Sequence, residues 1–457
     1  MILKMKRAMT MNNRLKRILQ GIFWILVYLF LTLLPVMVMF LPPRPPGREF
    51  IRELSVALGF VGLAMMALQF ALTARFKTIK APYGADVVYQ FHRQISILAF
   101  VLILIHPILL FVPQIHPISI LNIFSPETPW RARFAVTSLL ALCGLIVMAL
   151  WRKPLKIEYT RWRIWHGVLA TAAVAFAMLH VLGVNWYINV PWKRLLWAGY
   201  SIFFVGLLLY TRVWKPWQLL RTPYRVQEVK PERGGCWSLV LQPDNHAGFD
   251  FQPGQFAWIT AFSSPFKDAE HPFSFSNAPA GDGRLRFTIK ELGDFTRRIK
   301  ELKPGDVVYV DGPYGAFSID RHPHAKEFVF IAGGVGITPV VSMLHALAQR
   351  NDPRPLLLIY GGRDLESLTL RDEIEELQGR LNLKVVYVLE NPPEGWQGEK
   401  GYITREVLDR WLLPERRKNQ TEIFICGPIP MMNAVEDALA RMGFFAGDVH
   451  SERFDLV

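Results

Sequence analysis

Four histidines in otherwise apolar stretches are the first residues in this chain whose type and spacing could do chemistry. His92 and His106 stand 14 positions apart, and so do His166 and His180. Fourteen helical residues make nearly four whole turns, so each pair falls on one face with its members roughly 21 Å apart along the axis. A single metal ion would want histidines at i and i+4. The wider spacing suits two stacked metal macrocycles. One buried histidine is ordinarily satisfied by a backbone carbonyl, but two pairs of equal spacing inside apolar spans form a pattern, and ionisable groups there mark function by default. His116, in the stretch Pro113–Pro117, reads as an outer loop residue. The three cysteines, Cys143, Cys236 and Cys426, are too few for a four-thiolate iron–sulfur site or a disulfide framework.

The elements that must hold these histidines are legible as apolar runs. Hydrophobic residues make up 51% of the 457, and a spanning helix needs roughly 20 of them in succession. Six such runs precede residue 213: Ile18–Phe40, Leu54–Leu72, Gln94–Val112, Phe134–Trp151, Ile164–Val184 and Leu195–Thr211. The first is too long for the core of a signal peptide and is followed by Pro42-Pro43-Arg44-Pro45-Pro46 rather than a small-residue cleavage site, so it reads as a retained helix.

The net charge of +14 is concentrated on alternate connections. Lys4, Lys6, Arg7, Arg14, Lys16 and Arg17 precede the first span. Arg75, Lys77 and Lys80 follow the second, Arg152, Lys153, Lys156, Arg161 and Arg163 follow the fourth, and Arg212, Lys215, Arg221 and Arg225 follow the sixth. The intervening connections hold fewer: Arg44 and Arg48, Arg131 and Arg133, Lys193 and Arg194. This is the positive-inside pattern. It places both termini in the cytoplasm of a plasma or inner membrane, and it assigns the charge to topology and anionic lipid, with no nucleic-acid partner expected. The third and fifth helices then run the same way. His92 can face His166 near the cytoplasmic side and His106 can face His180 near the outer side, each pair offering two axial imidazoles to one haem iron. Arg93, Arg131 and Arg133 are candidates for haem propionates, with interfacial anchoring as the alternative.

After Trp217 the texture changes. Tyr224–Val229, Cys236–Gln242, Gln255–Thr260, Phe273–Ser276, Arg284–Ile289 and Asp306–Val310 read as strands of a small antiparallel barrel. Beyond Ala325 the runs Phe328–Ala332, Leu356–Tyr360, Lys384–Leu389 and Glu422–Cys426 alternate with helical stretches, which implies a doubly wound parallel sheet. The expected fold is therefore multidomain: a transmembrane bundle over 1–215, a β-barrel over 216–324 and an α/β domain over 325–457. Two strand ends carry glycines. Gly333-Gly334-Val335-Gly336-Ile337-Thr338-Pro339 reads as a phosphate-binding turn with Thr338 as helix cap, and Cys426-Gly427-Pro428 ends a later strand with Pro430 placed to start a helix.

Together these residues resemble a known family. The soluble half is similar to the ferredoxin–NADP reductase superfamily, and the chain from the second span onward resembles the ferric reductase and NADPH oxidase family. The resemblance implies FAD held by His271, Pro272, Phe273, Ser274, Phe275 and Ser276, and by the segment Lys290-Glu291-Leu292-Gly293-Asp294-Phe295-Thr296, in which Lys290, Gly293 and Thr296 are the candidate contacts. Asp311-Gly312-Pro313-Tyr314-Gly315 resembles the turn between flavin and nucleotide sites. Gly333, Gly334, Gly336 and Thr338, with Cys426, Gly427 and Pro428, match the two nicotinamide motifs. Glu452-Arg453-Phe454 resembles the tail whose aromatic residue, Phe454, covers the flavin and moves in catalysis.

The implied cofactors are FAD and two b-type haems, with metal ligands His92, His106, His166 and His180, and NADPH or NADH as donor. Arg363, after the strand ending at Tyr360, is placed to bind a 2′-phosphate and favours NADPH; a salt bridge to Asp364 is its other role. Nicotinamide delivers two electrons and haem accepts one, so a flavin must stand between them. The implied acceptor is dioxygen or ferric iron on the outer face. Leu110 stands where the animal oxidases have a further histidine, and Leu54–Leu72 lacks their arginine, which argues against dedicated superoxide production. The alternative function is a membrane-anchored, haem-free flavin reductase that serves a protein partner.

Overall fold

A computed structural model describes residues 2–76, 85–111, 117–267, 270–412 and 420–453. His116 and Phe454 lie outside the described residues. The chain divides near Pro216 into two compact units.

The first unit holds six helices long and apolar enough to cross a membrane: α1 (Ile2–Phe40), α2 (Phe50–Thr73), α3 (Ala85–Phe111), α4 (Trp130–Leu150), α5 (Tyr159–Val184) and α6 (Pro191–Leu209). Helices satisfy every backbone group internally, which hydrocarbon demands. Phe23, Leu26, Phe30 and Leu33 of α1 face outward as lipid contacts would, while Phe60, Leu63, Ala173, Val174 and Phe204 are buried between helices. Several buried polar groups reach acceptors here: Lys193 Nζ donates to the Leu41 carbonyl (2.8 Å), Tyr200 Oη to Leu31 (2.7 Å), Tyr187 Oη to Glu53 (2.7 Å) and Ser138 Oγ to Ala173 (2.7 Å).

Every one of the six helices begins before its expected apolar run, and two boundaries have a clear physical reason. The second helix opens at Phe50, so Arg52 and Glu53 belong to its first turn. Their charge reads as loop in sequence, but Glu53 is satisfied by Tyr187 and by the Arg48 amide (3.0 Å). The sixth runs on through a π-helical turn at Tyr210–Trp214 into α7 (Lys215–Arg221).

The second unit begins with β1 (Tyr224–Glu232), β2 (Cys236–Pro243), β3 (Phe256–Thr260), β4 (His271–Ser274), β5 (Leu285–Lys290), α8 (Asp294–Arg298) and β6 (Val307–Tyr314). The six strands form one antiparallel sheet in the order β4-β3-β6-β1-β2-β5. A bridge between Phe275 and Phe287 joins its two edges, so the sheet curls into a barrel around Leu239, Leu241, Ile259, Phe275 and Phe287.

There follow β7 (Glu327–Gly333), α9 (Ile337–Gln349), β8 (Leu356–Gly362), α10 (Arg371–Gln378), β9 (Leu383–Leu389), β10 (Glu399–Lys400), α11 (Arg405–Trp411), β11 (Thr421–Cys426), α12 (Ile429–Arg441) and β12 (Val449–Glu452). Every pairing in this sheet is parallel, in the order β10-β9-β8-β7-β11-β12. The chain starts in the middle at β7, builds outward, then crosses back to β11. The switch point between β7 and β11 is where such sheets bind ligands, beyond the strands' carboxyl ends. β10 and β12 are too short to have registered in the sequence.

Helices cover both faces, with Phe330, Val341, Leu344 and Leu358 in one core and Val329, Ile359, Ile425 and Met432 in the other. Leu358→Ala, at a fully buried position in the middle of β8, is expected to destabilise the soluble unit by about 2–5 kcal/mol, read as a lowered midpoint of thermal unfolding.

Candidate functional site

The membrane unit brings His92 of α3 and His166 of α5 face to face, with ring centres 6.4 Å apart and planes at 59°. Two metal–imidazole bonds of about 2 Å plus the two ring radii sum to roughly 6 Å, so the ring spacing fits one metal ion between them.

A ligating imidazole presents one nitrogen to the metal and directs the other to an acceptor that fixes its orientation. Three of the four histidines have that support through Nδ1. His92 Nδ1 meets Gln69 Oε1 at 2.8 Å. The Gln69 amide is itself oriented by donating from Nε2 to the Met65 carbonyl (3.1 Å). His106 Nδ1 lies 2.9 Å from the Ser55 carbonyl, and the Ser55 hydroxyl donates back to the His106 carbonyl (2.8 Å). His180 Nδ1 meets the Arg131 carbonyl at 2.8 Å. His166 differs: its Nδ1 is buried with no hydrogen-bond partner among the described residues, and its ring packs on Trp162 (5.1 Å).

Small residues permit these approaches. A side chain at Gly59 would press on the His106 ring at 3.2 Å, and one at Gly183 would come within 2.9 Å of Arg131 Cβ. Arg133, a propionate candidate, donates instead to the carbonyls of Thr128 (3.1 Å) and Ser125 (2.9 Å).

Ser55 and Gln69 were not singled out in the sequence, although a signal existed. They are 14 positions apart in an apolar span, the same interval as each histidine pair. Packed antiparallel, α2 and α3 match one pair to the other.

In the barrel, β3 is flanked by two of the flavin segments. β4 pairs Pro272 with Trp258, Phe273 with Ala257 and Ser274 with Phe256, while β6 brings Tyr314 opposite Phe256 on the other side. Gln255 ties both, since its Nε2 donates to the Gly315 carbonyl (3.1 Å) and its own carbonyl accepts from the Phe275 amide (3.0 Å). The third segment folds onto the first: Phe295 stacks on His271 at 4.0 Å.

Ser274 Oγ is buried without a hydrogen-bond partner among the described residues. That unmet capacity fits a flavin oxygen or nitrogen, because a buried hydroxyl left alone is costly. Ser276, by contrast, has its hydroxyl engaged by Thr288 (3.0 Å) and by Arg286 Nε (3.2 Å). Arg286 in turn reaches Glu373 of α10 (2.6 Å), so Ser276 braces a bridge between barrel and α/β domain. Thr296 Oγ accepts from the Leu292 and Gly293 amides (2.8 and 2.9 Å), shaping the turn. Lys290 ends β5 beside it.

The nicotinamide motifs converge at the switch point. A Cβ at Gly336 would lie 2.4 Å from the Cys426 carbonyl oxygen, one at Gly333 would lie 2.9 Å from Pro428 Cδ, and one at Gly427 would lie 3.0 Å from the Gly333 amide. These three glycines let the two loops touch each other. Gly334 alone opens onto empty space, with φ of +53°, and is the position where backbone can meet a pyrophosphate.

The expected Thr338 cap is corrected. The helix α9 is entered from Gly336 and starts at Ile337, because the tight turn Gly334–Gly336 already carries the chain into helical geometry. Thr338 Oγ donates back to the Val335 carbonyl (3.0 Å). Pro430 does lie in the first turn of α12. Burial raises the Cys426 thiol far above its ordinary range, so it is neutral beside the glycine loops and no nucleophile.

Arg363 pairs with Asp364 (3.1 Å) and is 70% exposed. The Glu452 carboxylate would lie 3.4 Å from a Cβ at Gly315, which brings the C-terminal strand to the flavin turn. Arg453 is held on α12 by Asn433 (2.8 Å) and Glu436 (2.6 Å).

Three family models match in order: the ferric reductase-like transmembrane component over residues 58–177, an FAD-binding domain over 238–318 and the oxidoreductase NAD-binding domain over 330–437. Among curated proteins the chain is 31% identical over 248 residues to the propane 2-monooxygenase reductase component of Rhodococcus jostii, covering 52% of this chain and 64% of that one. It is 36% identical over 180 residues to NADH-cytochrome b5 reductase 1 of Laccaria bicolor, covering 38% and 56%. The chain thus spans less than two thirds of the length of either relative. A ferredoxin reductase in carbazole 1,9a-dioxygenase superposes with a TM-score of 0.45 at 26% identity, over 51% of this chain and 69% of that one.

Gly336→Ala is expected to force the two nucleotide loops apart and to raise KM for the nicotinamide donor at least tenfold. FAD content, measured on the purified protein, should be unchanged, since the clash falls between the loops after β7 and β11.

Proposed function

We propose that this chain, which has the three-part architecture of the ferric reductase and NADPH oxidase family, carries electrons from cytoplasmic NAD(P)H through FAD and two bis-histidine haems to an acceptor across the membrane. That it is a multi-pass membrane NAD(P)H-dependent oxidoreductase follows from its six apolar helices and its ferric reductase-like, FAD-binding and NAD-binding regions. The haems, the direction and the acceptor are what the proposal adds. The observation that carries it is the facing of His92 and His166 at 6.4 Å, in a unit where three of the four rings have Nδ1 committed to an acceptor.

When bound, FAD takes a hydride from nicotinamide and releases single electrons, and haem iron accepts them one at a time. The chain's own residues position these groups. Gly334 admits the dinucleotide backbone, and the amide ends of α9 and α12 favour its phosphates. Ser274, Thr296 and the His271–Phe295 stack shape the flavin cradle. Phe454, two residues beyond Glu452, is placed by sequence to cover the flavin until nicotinamide displaces it. Gln69, Ser55 and the Arg131 carbonyl hold three rings so that Nε2 is presented to iron. The transfer itself asks for no protein nucleophile or general acid.

The basic connections support a cytoplasmic side for the termini and the soluble unit, with His106 and His180 then toward the outer leaflet. The acceptor there is chelated ferric iron or dioxygen. Leu110 in place of a further histidine favours iron. The arginine-free span that also favoured it is confined to Leu54–Leu72, because Arg52 stands one turn before Ser55 at the start of α2.

A second reading is supported by the similarity to a monooxygenase reductase component and a cytochrome b5 reductase: a haem-free version of this chain would deliver electrons to a protein partner. A reduced-minus-oxidised spectrum separates the two. The conduit requires b-type bands and two haems per FAD in the purified protein, falling to about one in His92→Ala and in His106→Ala. A wild-type spectrum without those bands would leave only the protein-partner reading. Arg363→Ala is expected to raise KM for NADPH about tenfold, the loss of one charge-assisted contact, with KM for NADH unchanged. Equal effects on both would confine Arg363 to its Asp364 pair.

A further inference from the structure

Beyond the electron pathway, the α/β domain holds a second group of metal-ligating side chains. His322 follows the turn Ile319–Arg321 between the barrel and β7, Glu422 is the second residue of β11, and His450 is the second residue of β12. Their ligand atoms all lie within 4.8 Å of one another. Glu422 Oε2 is 3.2 Å from His322 Nδ1 and 2.7 Å from His450 Nε2.

The first of these contacts is not a hydrogen bond. His322 Nδ1 is close to the carboxylate yet has no hydrogen-bond partner among the described residues, although its side chain is only 3% exposed. An imidazole nitrogen buried beside a carboxylate and not bonded to it is arranged as ligands around an ion are. Two ligands on a tetrahedral ion at about 2.0–2.1 Å lie roughly 3.3 Å apart, close to the 3.2 Å found for His322 and Glu422.

The strands explain the convergence. β11 and β12 pair Phe424 with His450, and side chains two apart on a strand share a face, so Glu422, Phe424 and His450 point the same way. The Phe424 ring, 5.7 Å from His322 and 5.0 Å from His450, floors the site with an apolar surface that limits water to one side. The loop bearing His322 is held by its own backbone bonds, His322 amide to Ile319 carbonyl (2.9 Å) and Ala325 amide to His322 carbonyl (3.1 Å).

We propose that His322, Glu422 and His450 form a binding site for one divalent first-row transition ion of the zinc class, with water completing the coordination. Two imidazoles and one carboxylate are a donor set that such ions accept, whereas calcium and magnesium take oxygen ligands. The three ligands come from the interdomain connection, β11 and the last strand. An ion there would clamp the C-terminal strand to the sheet, at the end opposite the nucleotide loops. Its role is structural, since nothing of the flavin or nicotinamide motifs reaches it.

The test uses the full chain, purified with its FAD in detergent, stripped with a chelator and dialysed against zinc chloride. Protein-bound zinc is counted by mass spectrometry and unfolding is followed with and without zinc. Wild type should retain about one zinc more per chain than His450→Ala or Glu422→Gln, and only wild type should show a raised melting midpoint. Glu422→Gln is nearly isosteric and keeps an acceptor, so it reports on the site even where His450→Ala folds poorly, with FAD absorbance as the check. Equal zinc in wild type and Glu422→Gln, or a midpoint indifferent to zinc, would overturn the proposal and leave a hydrogen-bonded cluster only.

Discussion

An imidazole inside a lipid-embedded helix bundle cannot hand its second nitrogen to water, and this constraint organises the membrane unit. Leaving a buried donor unmet costs about 1–3 kcal/mol, and a ring that is free to turn cannot offer a fixed nitrogen to a metal. The solution is a register between two helices. Because α2 and α3 carry their polar residues at the same interval, one antiparallel alignment satisfies His92 through Gln69 and His106 through Ser55 at once. Sliding α2 by a turn would break both contacts together. Gly59 and Gly62 lie on the same contact face, where added side chains would press on His106 and Ile103, so the alignment is held by shape as well as by polarity.

The soluble unit obeys a different constraint, the approach of one backbone to another. The loops after β7 and β11 touch so closely that a Cβ at Gly336 would lie 2.4 Å from the Cys426 carbonyl, and side chains at Gly333 and Gly427 would crowd the same contact. That changes the meaning of a glycine-rich turn. Only Gly334, with its left-handed φ and open surroundings, leaves room for a ligand; the others hold the two loops together. Ser276 shows the same division. It lies in the flavin motif, yet its hydroxyl serves Arg286 and through it Glu373, joining the two domains between which hydride must pass.

What could be read from the sequence follows from which signals are local. Hydrophobic length is local, and the first span, Ile18–Phe40, coincides with the membrane-length apolar part of α1. Strand alternation is local too, which is why the barrel and the parallel sheet were foreseeable down to most of their strands. The start of α2 was not, because Arg52 and Glu53 look like loop until Tyr187, 134 residues away, is seen to hold Glu53. Thr338 was assigned as a cap on residue type, whereas the preceding glycines had already begun the helix. The partners of the histidines were visible only as two polar residues in an apolar run, and their role depends on a tertiary register that no single helix encodes.

The strand β11 draws the soluble unit together. Its last residue, Cys426, touches the nucleotide loop, and its second residue, Glu422, sits in the histidine cluster. In a parallel sheet the carboxyl ends of strands face ligands, while the opposite ends are left to stability. β12 follows the same polarity, with His450 near one end and Glu452, beside the flavin turn, at the other. A strand only four residues long at the edge of a sheet has few hydrogen bonds with which to resist displacement. Whatever fixes His450 therefore also fixes Glu452, the last residue of the strand. Placing the anchor and the reactive surface at opposite ends of the same two strands lets the tail be held without crowding the site where flavin and nicotinamide must meet.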